Sequence, residues 1–218
     1  MMTYHGTVKV GGAPDVRELA HLIITKVAVG PHDNNAYLLR CRATDEQLLI
    51  DAAADAPVLL ETVGPRLAAV VTTHRHRDHW GALAEVVAVT GARTMAGRID
   101  AEGIDVPTDL ALEDGSVLRF GQIELTVRHL VGHTPGAIVL LYDDPQGHPH
   151  LFTGDCLFPG GVGNTWGDPA AFDSLFRDVN EKLFDVLPDE TWVYPGHGDD
   201  TTLGAERPHL PEWRERGW

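Results

Sequence analysis

An α/β fold, with sheets inside and helices outside, is predicted by three observations. Short β-branched apolar runs recur along the chain, helical spacings fall between them in both halves, and 218 residues suit one domain. Residues 20–29 (AHLIITKVAV) and 36–42 (AYLLRCR) carry the half-alternating pattern of strands, with turn chemistry between them in GPHDNN. Residues 47–50 read as a short buried strand ending at Asp51, and 56–63 as a helix stopped by Gly64-Pro65. An apolar strand at 67–72 leads into a helix over 78–89 with Asp78 at or near its N-cap. In the second half, 117–120, 123–130, 137–142 and 150–153 read as successive strands. Phe172, Leu175, Phe176, Val179, Leu183 and Val186 give a helix over 172–187. A last strand at 191–194 precedes a polar tail rich in Gly and Pro. Residues 1–15 are expected to fray, leaving 16–218 as the folded domain.

Thirty-two acidic against seventeen basic residues give a formal charge of −15, which argues against a nucleic-acid partner, because polyanions are gripped by clustered Lys and Arg. No uncharged apolar run approaches the ~18–20 residues that span a bilayer. The start, MMTYHGTVKVGG, has no apolar segment after a basic one, so a soluble, cytoplasmic protein is expected. Two cysteines, Cys41 and Cys156, cannot form a disulfide framework.

The chemistry is carried by histidine and aspartate. Thr73-His74-Arg75-His76-Arg77-Asp78-His79 directly follows the strand at 67–72. Residues two apart in extended chain point the same way, so His74 and His76 can aim at one ion. The turn into a helix lets Asp78 and His79 face a neighbouring point. Three further segments also end strands beside glycine: Gly132-His133-Thr134-Pro135-Gly136, Phe152-Thr153-Gly154-Asp155 and Tyr194-Pro195-Gly196-His197-Gly198. Imidazole and carboxylate together suit zinc, iron or manganese.

With these motifs in this order, the chain resembles the metallo-β-lactamase-fold superfamily of metal-dependent hydrolases. It is most similar to the glyoxalase II branch, the hydroxyacylglutathione hydrolases and their short relatives. The resemblance runs from about Ile23 to the end and includes Asn34-Asn35-Ala36-Tyr37. It implies a four-layer αββα sandwich with metals at one edge of the paired sheets. It implies that His74, His76 and His133 bind a first divalent ion, and Asp78, His79 and His197 a second. Asp155 would bridge both, with zinc as the expected metal and iron or manganese as substitutes. Two such ions sharing a water lower its pKa from ~15.7 towards neutrality, and the hydroxide attacks a carbonyl whose oxyanion a metal stabilises. Asp78 can then also be catalytic, accepting the nucleophile's proton. Thiol pKa values near ~8.5 make a thiolate a good leaving group, so a thioester of a low-molecular-weight thiol is the expected small-molecule substrate. The carrier would be glutathione or, since fourteen of the seventeen basic residues are arginine and suggest a high-GC genome, mycothiol. The tail after His197 is too short for the C-terminal helical region that grips glutathione in full-length glyoxalase II enzymes.

Related activities share these motifs. A persulfide dioxygenase would hold one iron on His74, His133 and Asp155, but its usual GRTDF-like stretch is here Gly163-Asn164-Thr165-Trp166-Gly167-Asp168, without the arginine. Lactone and other ester hydrolases keep the same ligands. A β-lactamase proper is disfavoured by Asp155, and a transfer-RNA nuclease by the charge. Cys156 should point away from the metals as a buried filler. Asp51 is expected to orient a ligand histidine, whereas His5, His148, His150 and His209 should be solvated and His129 packed or exposed. Residues 32–37 should serve turn hydrogen bonds. Arg75 and Arg77 should point outward into ion pairs, and the tail with Thr201, Thr202, Arg207 and Trp213 should fold over the cleft.

Overall fold

The computed structural model describes residues 4–217. Its first sheet runs in chain order: β1 (Asp15–Glu18), β2 (Leu22–Val29), β3 (Asn34–Cys41), β4 (Gln47–Ile50), β5 (Leu67–Thr72), β6 (Arg93–Gly97) and β7 (Leu110–Leu112). The second has the order β15 (Thr201–Thr202), β14 (Trp192–Pro195), β11 (His150–Gly154), β10 (Ile138–Tyr142), β9 (Ile123–His129) and β8 (Val117–Phe120). A small hairpin, β12 (Leu157–Phe158) with β13 (Gly161–Val162), lies beside them.

Strand periodicity builds three cores. Leu22, Ile24, Tyr37, Leu39, Leu48 and Ile50 point to one face of the first sheet and meet Leu125, Val127, Leu140, Phe152 and Tyr194 of the second. The intervening residues Val27, Val29, Leu38, Leu49 and Val70 face outward against α1 (Ala56–Thr62) and α2 (Leu83–Thr90). On the other side Val139, Leu141, Leu151 and Val193 pack against α3 (Pro169–Val179), α4 (Leu203–Glu206) and α5 (Leu210–Arg216). Burial on both faces explains why β5 and β10 read as near-continuous apolar runs. The result is the single-domain αββα sandwich that the resemblance implied.

Several local expectations need correction. The helix expected over 78–89 is split: a 3₁₀ turn covers Arg77–His79 and α2 starts only at Leu83. Gly81 is packed so closely that a Cβ there would lie 2.8 Å from the carbonyl oxygen of Ala53, and the tight turn keeps Asp78 and His79 at the sheet edge. The helix expected over 172–187 begins at Pro169, where Asp168 caps the amides of Ala170 and Ala171, and ends at Val179. It widens there into a π turn, with the Asp185 amide donating to the Asn180 carbonyl. Strands β1, β6, β7, β12, β13 and β15 were not foreseen.

The tail is not a lid. Trp213 is buried in the outer core beside Phe184, and Arg216 donates to the Gly160 carbonyl, so α5 completes the helical layer over the second sheet. Residues 1–3 of the start expected to fray lie outside the described residues. Tyr4 and Gly6 are tied down: the Tyr4 hydroxyl donates to Asp200 at 2.6 Å and the Gly6 carbonyl accepts from Lys26 at 2.7 Å.

Candidate metal centre

Strand direction gathers the chemistry at one rim. β4 is parallel to β5, and β11 to β14, so Asp51, His74, Asp155 and His197 follow strand ends that share an edge of their sheets. β9 and β11 both run antiparallel to β10, which brings the His133 loop after β9 to the same edge.

All seven residues named from sequence meet there. His76 Nδ1 lies 3.0 Å from His133 Nε2, which lies 3.3 Å from His74 Nε2. His197 Nε2 is 3.5 Å, and His79 Nε2 3.7 Å, from Asp78 Oδ2. Asp155 stands between the two groups, with Oδ2 at 3.6 Å from His133 Nε2 and 3.5 Å from His197 Nε2, and Oδ1 at 3.4 Å from His79 Nε2. Three overlapping sets bring donor atoms within 4.8 Å of one another: His74–His76–His133, His74–His79–Asp155 and Asp78–His79–His197.

The opposite ring nitrogens fix which atoms face inward. Asp51 Oδ2 takes the His79 Nδ1 proton at 2.8 Å, the Asn164 carbonyl that of His133 at 2.9 Å, and the His32 carbonyl that of His197 at 2.9 Å. His74 Nδ1 lies 3.1 Å from the Thr73 hydroxyl, which itself donates to Asp51. With Nδ1–H donating outward, Nε2 of each is the atom turned towards the cluster, where its lone pair would meet a cation. Buried His79 Nε2 and Asp155 Oδ1 make no hydrogen bond. Buried polar atoms without partners are rare, and a cation is the partner this donor set suits. The His74, His133 and His76 imidazoles are pushed below their ordinary range, chiefly by burial, which keeps them neutral as ligands must be.

Glycine makes room for this convergence. A Cβ on Gly196 would stand 2.2 Å from Asp155 Oδ1, so only glycine lets β14 pass this close. Asp51 itself adopts a left-handed φ of 60°, an uncommon conformation for a non-glycine residue, held by Thr73 N and Oγ1 and by His79. Replacing Asp51 with asparagine sets an N–H against either the Thr73 or the His79 donor. Cation affinity is expected to fall about 10–100-fold, read by competition with a chelator; unchanged affinity would remove Asp51's orienting role.

Burial opposes charge on His79, but Asp51 and Asp155 outweigh it and raise its pKa to about 10 in the metal-free chain. Because the folded value exceeds the unfolded one of about 6.5, this contribution to stability is full below that pH and is lost as pH rises through about 10. Urea unfolding of metal-free protein should therefore show falling stability across that window, and metal-loaded protein should not, since a cation displaces the proton. Identical profiles would contradict it.

Sequence reasoning left some neighbours out. Asn34 and Asn35 belong to β3, paired with Val29 and Ala28, and not to a turn, and Asn34 Nδ2 donates to Asp78 Oδ2 at 3.1 Å. Only the fold brings Asn34 to Asp78. Arg77 pairs with Asp105 at 3.7 Å as expected, yet also lines a cleft of about 620 Å³ with Pro31, His32, Asn34, Ala54, Asp78, Gly81 and His197. Trp166, to which the sequence assigned no role, stacks on His133 with ring centroids 5.2 Å apart and 63% of its surface exposed. His150 is fully buried against the Tyr194 hydroxyl, not solvated, and burial lowers its pKa to about 3. Cys156 is buried away from the cluster, and burial pushes its thiol up.

The family description "Metallo-beta-lactamase superfamily" matches residues 29–197. Persulfide dioxygenase ETHE1, mitochondrial, of Homo sapiens is 36% identical over 169 residues, which are 74% of this chain and 62% of that protein. Hydroxyacylglutathione hydrolase of Polaromonas sp. (strain JS666) is 35% identical over 182 residues, 81% of this chain and 66% of that protein. This chain thus spans about two thirds of the length of either relative. Among solved structures, TTHA1623 in a di-iron-bound form superposes with a TM-score of 0.68 at 33% identity, covering 84% of this chain and 96% of that one.

Proposed function

The chain belongs to the metallo-β-lactamase superfamily, and from that premise we propose that it is a binuclear metal-dependent hydrolase acting on a thioester of a low-molecular-weight thiol. One observation carries the reading: two groups of three donors flank a single carboxylate, Asp155, that faces both. His74, His76 and His133 would hold one divalent cation and Asp78, His79 and His197 the other, with Asp155 shared. The similarity to a di-iron-bound structure supports two ions, and the imidazole–carboxylate donor set suits iron or zinc. Bound there, divalent cations supply a water that is deprotonated near neutral pH and a Lewis acid for a developing oxyanion.

The chain's own groups do the rest. Asp78 is ionised at neutral pH: burial raises its pKa, but the Asn34 hydrogen bond and His79 outweigh it and hold the value below the ordinary range. Its Oδ2 is engaged by Asn34 and faces His197, which leaves Oδ1 to take the proton released by the attacking water. Among the described residues lining the cleft, Asp78 is the single carboxylate. That scarcity of acids suits a thiolate, which departs without a proton, better than an amine. Arg77 at the lip offers a cationic contact to an anionic carrier such as glutathione or mycothiol. A cytoplasmic setting, where the free, buried Cys41 and Cys156 stay reduced, completes the proposal.

A second reading, persulfide oxygenation on one iron held by His74, His133 and Asp155, is favoured by the similarity to the human persulfide dioxygenase. Metal analysis combined with two assays separates them: hydrolysis of S-acyl glutathione and S-acyl mycothiol, and oxygen uptake with glutathione persulfide. Two equivalents of metal with thioester hydrolysis are expected. A single iron with oxygen uptake would replace the proposal by the second reading.

A further inference from the structure

We propose that Lys26, with Asn35, is a positioning residue for the second cation site: the two side chains latch the backbone beside His197 and so hold its imidazole between Asp78 and Asp155. The inference rests on the two-cation reading above.

The sequence makes Lys26 unusual before any contact is considered. In β2, Leu22 and Ile24 face the core between the sheets, and period-two geometry sends Lys26 to that same interior face. Its side chain is 0% exposed. A buried ammonium must have all three of its protons accepted, and here each has a partner. Lys26 Nζ donates to the Gly6 carbonyl at 2.7 Å, to the Gly198 carbonyl at 2.8 Å and to Asp200 Oδ1 at 2.6 Å. Two of these three acceptors lie just past His197.

The latch is reinforced from both sides. Asn35 Nδ2 donates to the carbonyls of Pro195 and Gly198, each at 2.9 Å, so His197 is bracketed by two clamped carbonyls. The Tyr37 hydroxyl adds a bond to Pro195 at 2.7 Å. Asp200 is held in turn by Tyr4 Oη at 2.6 Å and Trp192 Nε1 at 2.9 Å. Gly198 itself sits at a φ of 70°, a left-handed turn that the bonded carbonyl keeps in place. By contrast His74, His76 and His133 take their support from Thr73, Asn164 and each other, and none of their bonds involves Lys26. A change at Lys26 should therefore reach one cation site and spare the other.

Zinc titration of the 218-residue chain tests this, with equilibrium competition by a chelator resolving the two equivalents. The charge-neutral variant Lys26→Met/Asp200→Asn removes both ions of the pair, so no carboxylate is stranded. The first equivalent is expected at unchanged affinity and the second weakened about 10–100-fold, the range for groups that orient ligands. Asn35→Ala leaves the ion pair intact and is the milder variant, with the same selective loss expected; it decides the matter should the double variant not fold. Circular dichroism checks the fold in each case. Two equivalents at wild-type affinity in folded variants, or equal weakening of both, would overturn the inference alone. An unmodified chain that takes up one equivalent only would overturn the two-cation reading and the inference with it.

Discussion

Substituting Asp155 with alanine is expected to lower kcat/KM for thioester hydrolysis by roughly 10³-fold or more and to reduce bound metal below two equivalents. Metal ions contribute several kcal/mol to such reactions, and each ~1.36 kcal/mol is a tenfold rate factor. The site has no substitute for this carboxylate. Burial works against its charge, yet the His197, His79 and His74 imidazoles around it hold its pKa well below the ordinary range. It is the anion around which His79, His133 and His197 converge at 3.4–3.6 Å. Asp155→Asn keeps the volume but not the charge, and should fail almost as badly, which separates electrostatics from packing. Cys156 does not stand ready to take over as nucleophile, because its thiol is buried and its pKa is raised. Retention of two metals and of activity within threefold in Asp155→Ala would end the binuclear reading.

The ligand set was legible because its residues are local to strand ends. His74 and His76 follow an apolar run, Asp155 ends another, and glycine stands beside His133, Asp155 and His197, so chain-local patterns mark them. Asp51 was legible for the same reason, at the end of β4. What failed to show is what depends on contacts far apart in sequence. Asn34 reaches Asp78 across 44 residues, and Lys26 reaches Asp200 across 174. In LIITKVAV a lysine reads as the polar face of a strand; only counting in twos from Leu22 and Ile24 would have placed it inside. Strand boundaries in the core came out well because both faces of β4, β5, β10 and β11 are buried. The edge strands β1 and β7, half exposed, carry no such run. The helix over 172–187 was too long because Leu183 and Phe184 keep a buried face after the hydrogen bonding has already widened.

Lys26→Met alone is expected to destabilise the metal-free fold by about 3–5 kcal/mol at pH 7, the usual consequence of stranding one member of a buried ion pair. Asp200 would remain, enclosed by Tyr4 and Trp192 with no cation. The backbone acceptors lose less, since the Gly6 carbonyl keeps the Asp200 amide at 3.1 Å and the Gly198 carbonyl keeps Asn35 at 2.9 Å. The damage is therefore electrostatic, and acid should repair it. Burial already raises the Asp200 pKa above its ordinary value, with Lys26 pulling it down; without Lys26 it must rise further. A carboxyl whose folded pKa exceeds its unfolded one adds stability below the unfolded value of about 3.9, and that stability is lost as pH rises through the folded value. The difference between variant and wild type, taken from urea unfolding at several pH values, should thus shrink steadily as pH falls towards about 4. Lys26→Met/Asp200→Asn should stay within about 1 kcal/mol of wild type at pH 7, because replacing both members of a buried pair is often neutral. A deficit that does not change with pH, or one that the second substitution leaves untouched, would mean that Lys26 stabilises through the packing of its methylenes and not through its charge.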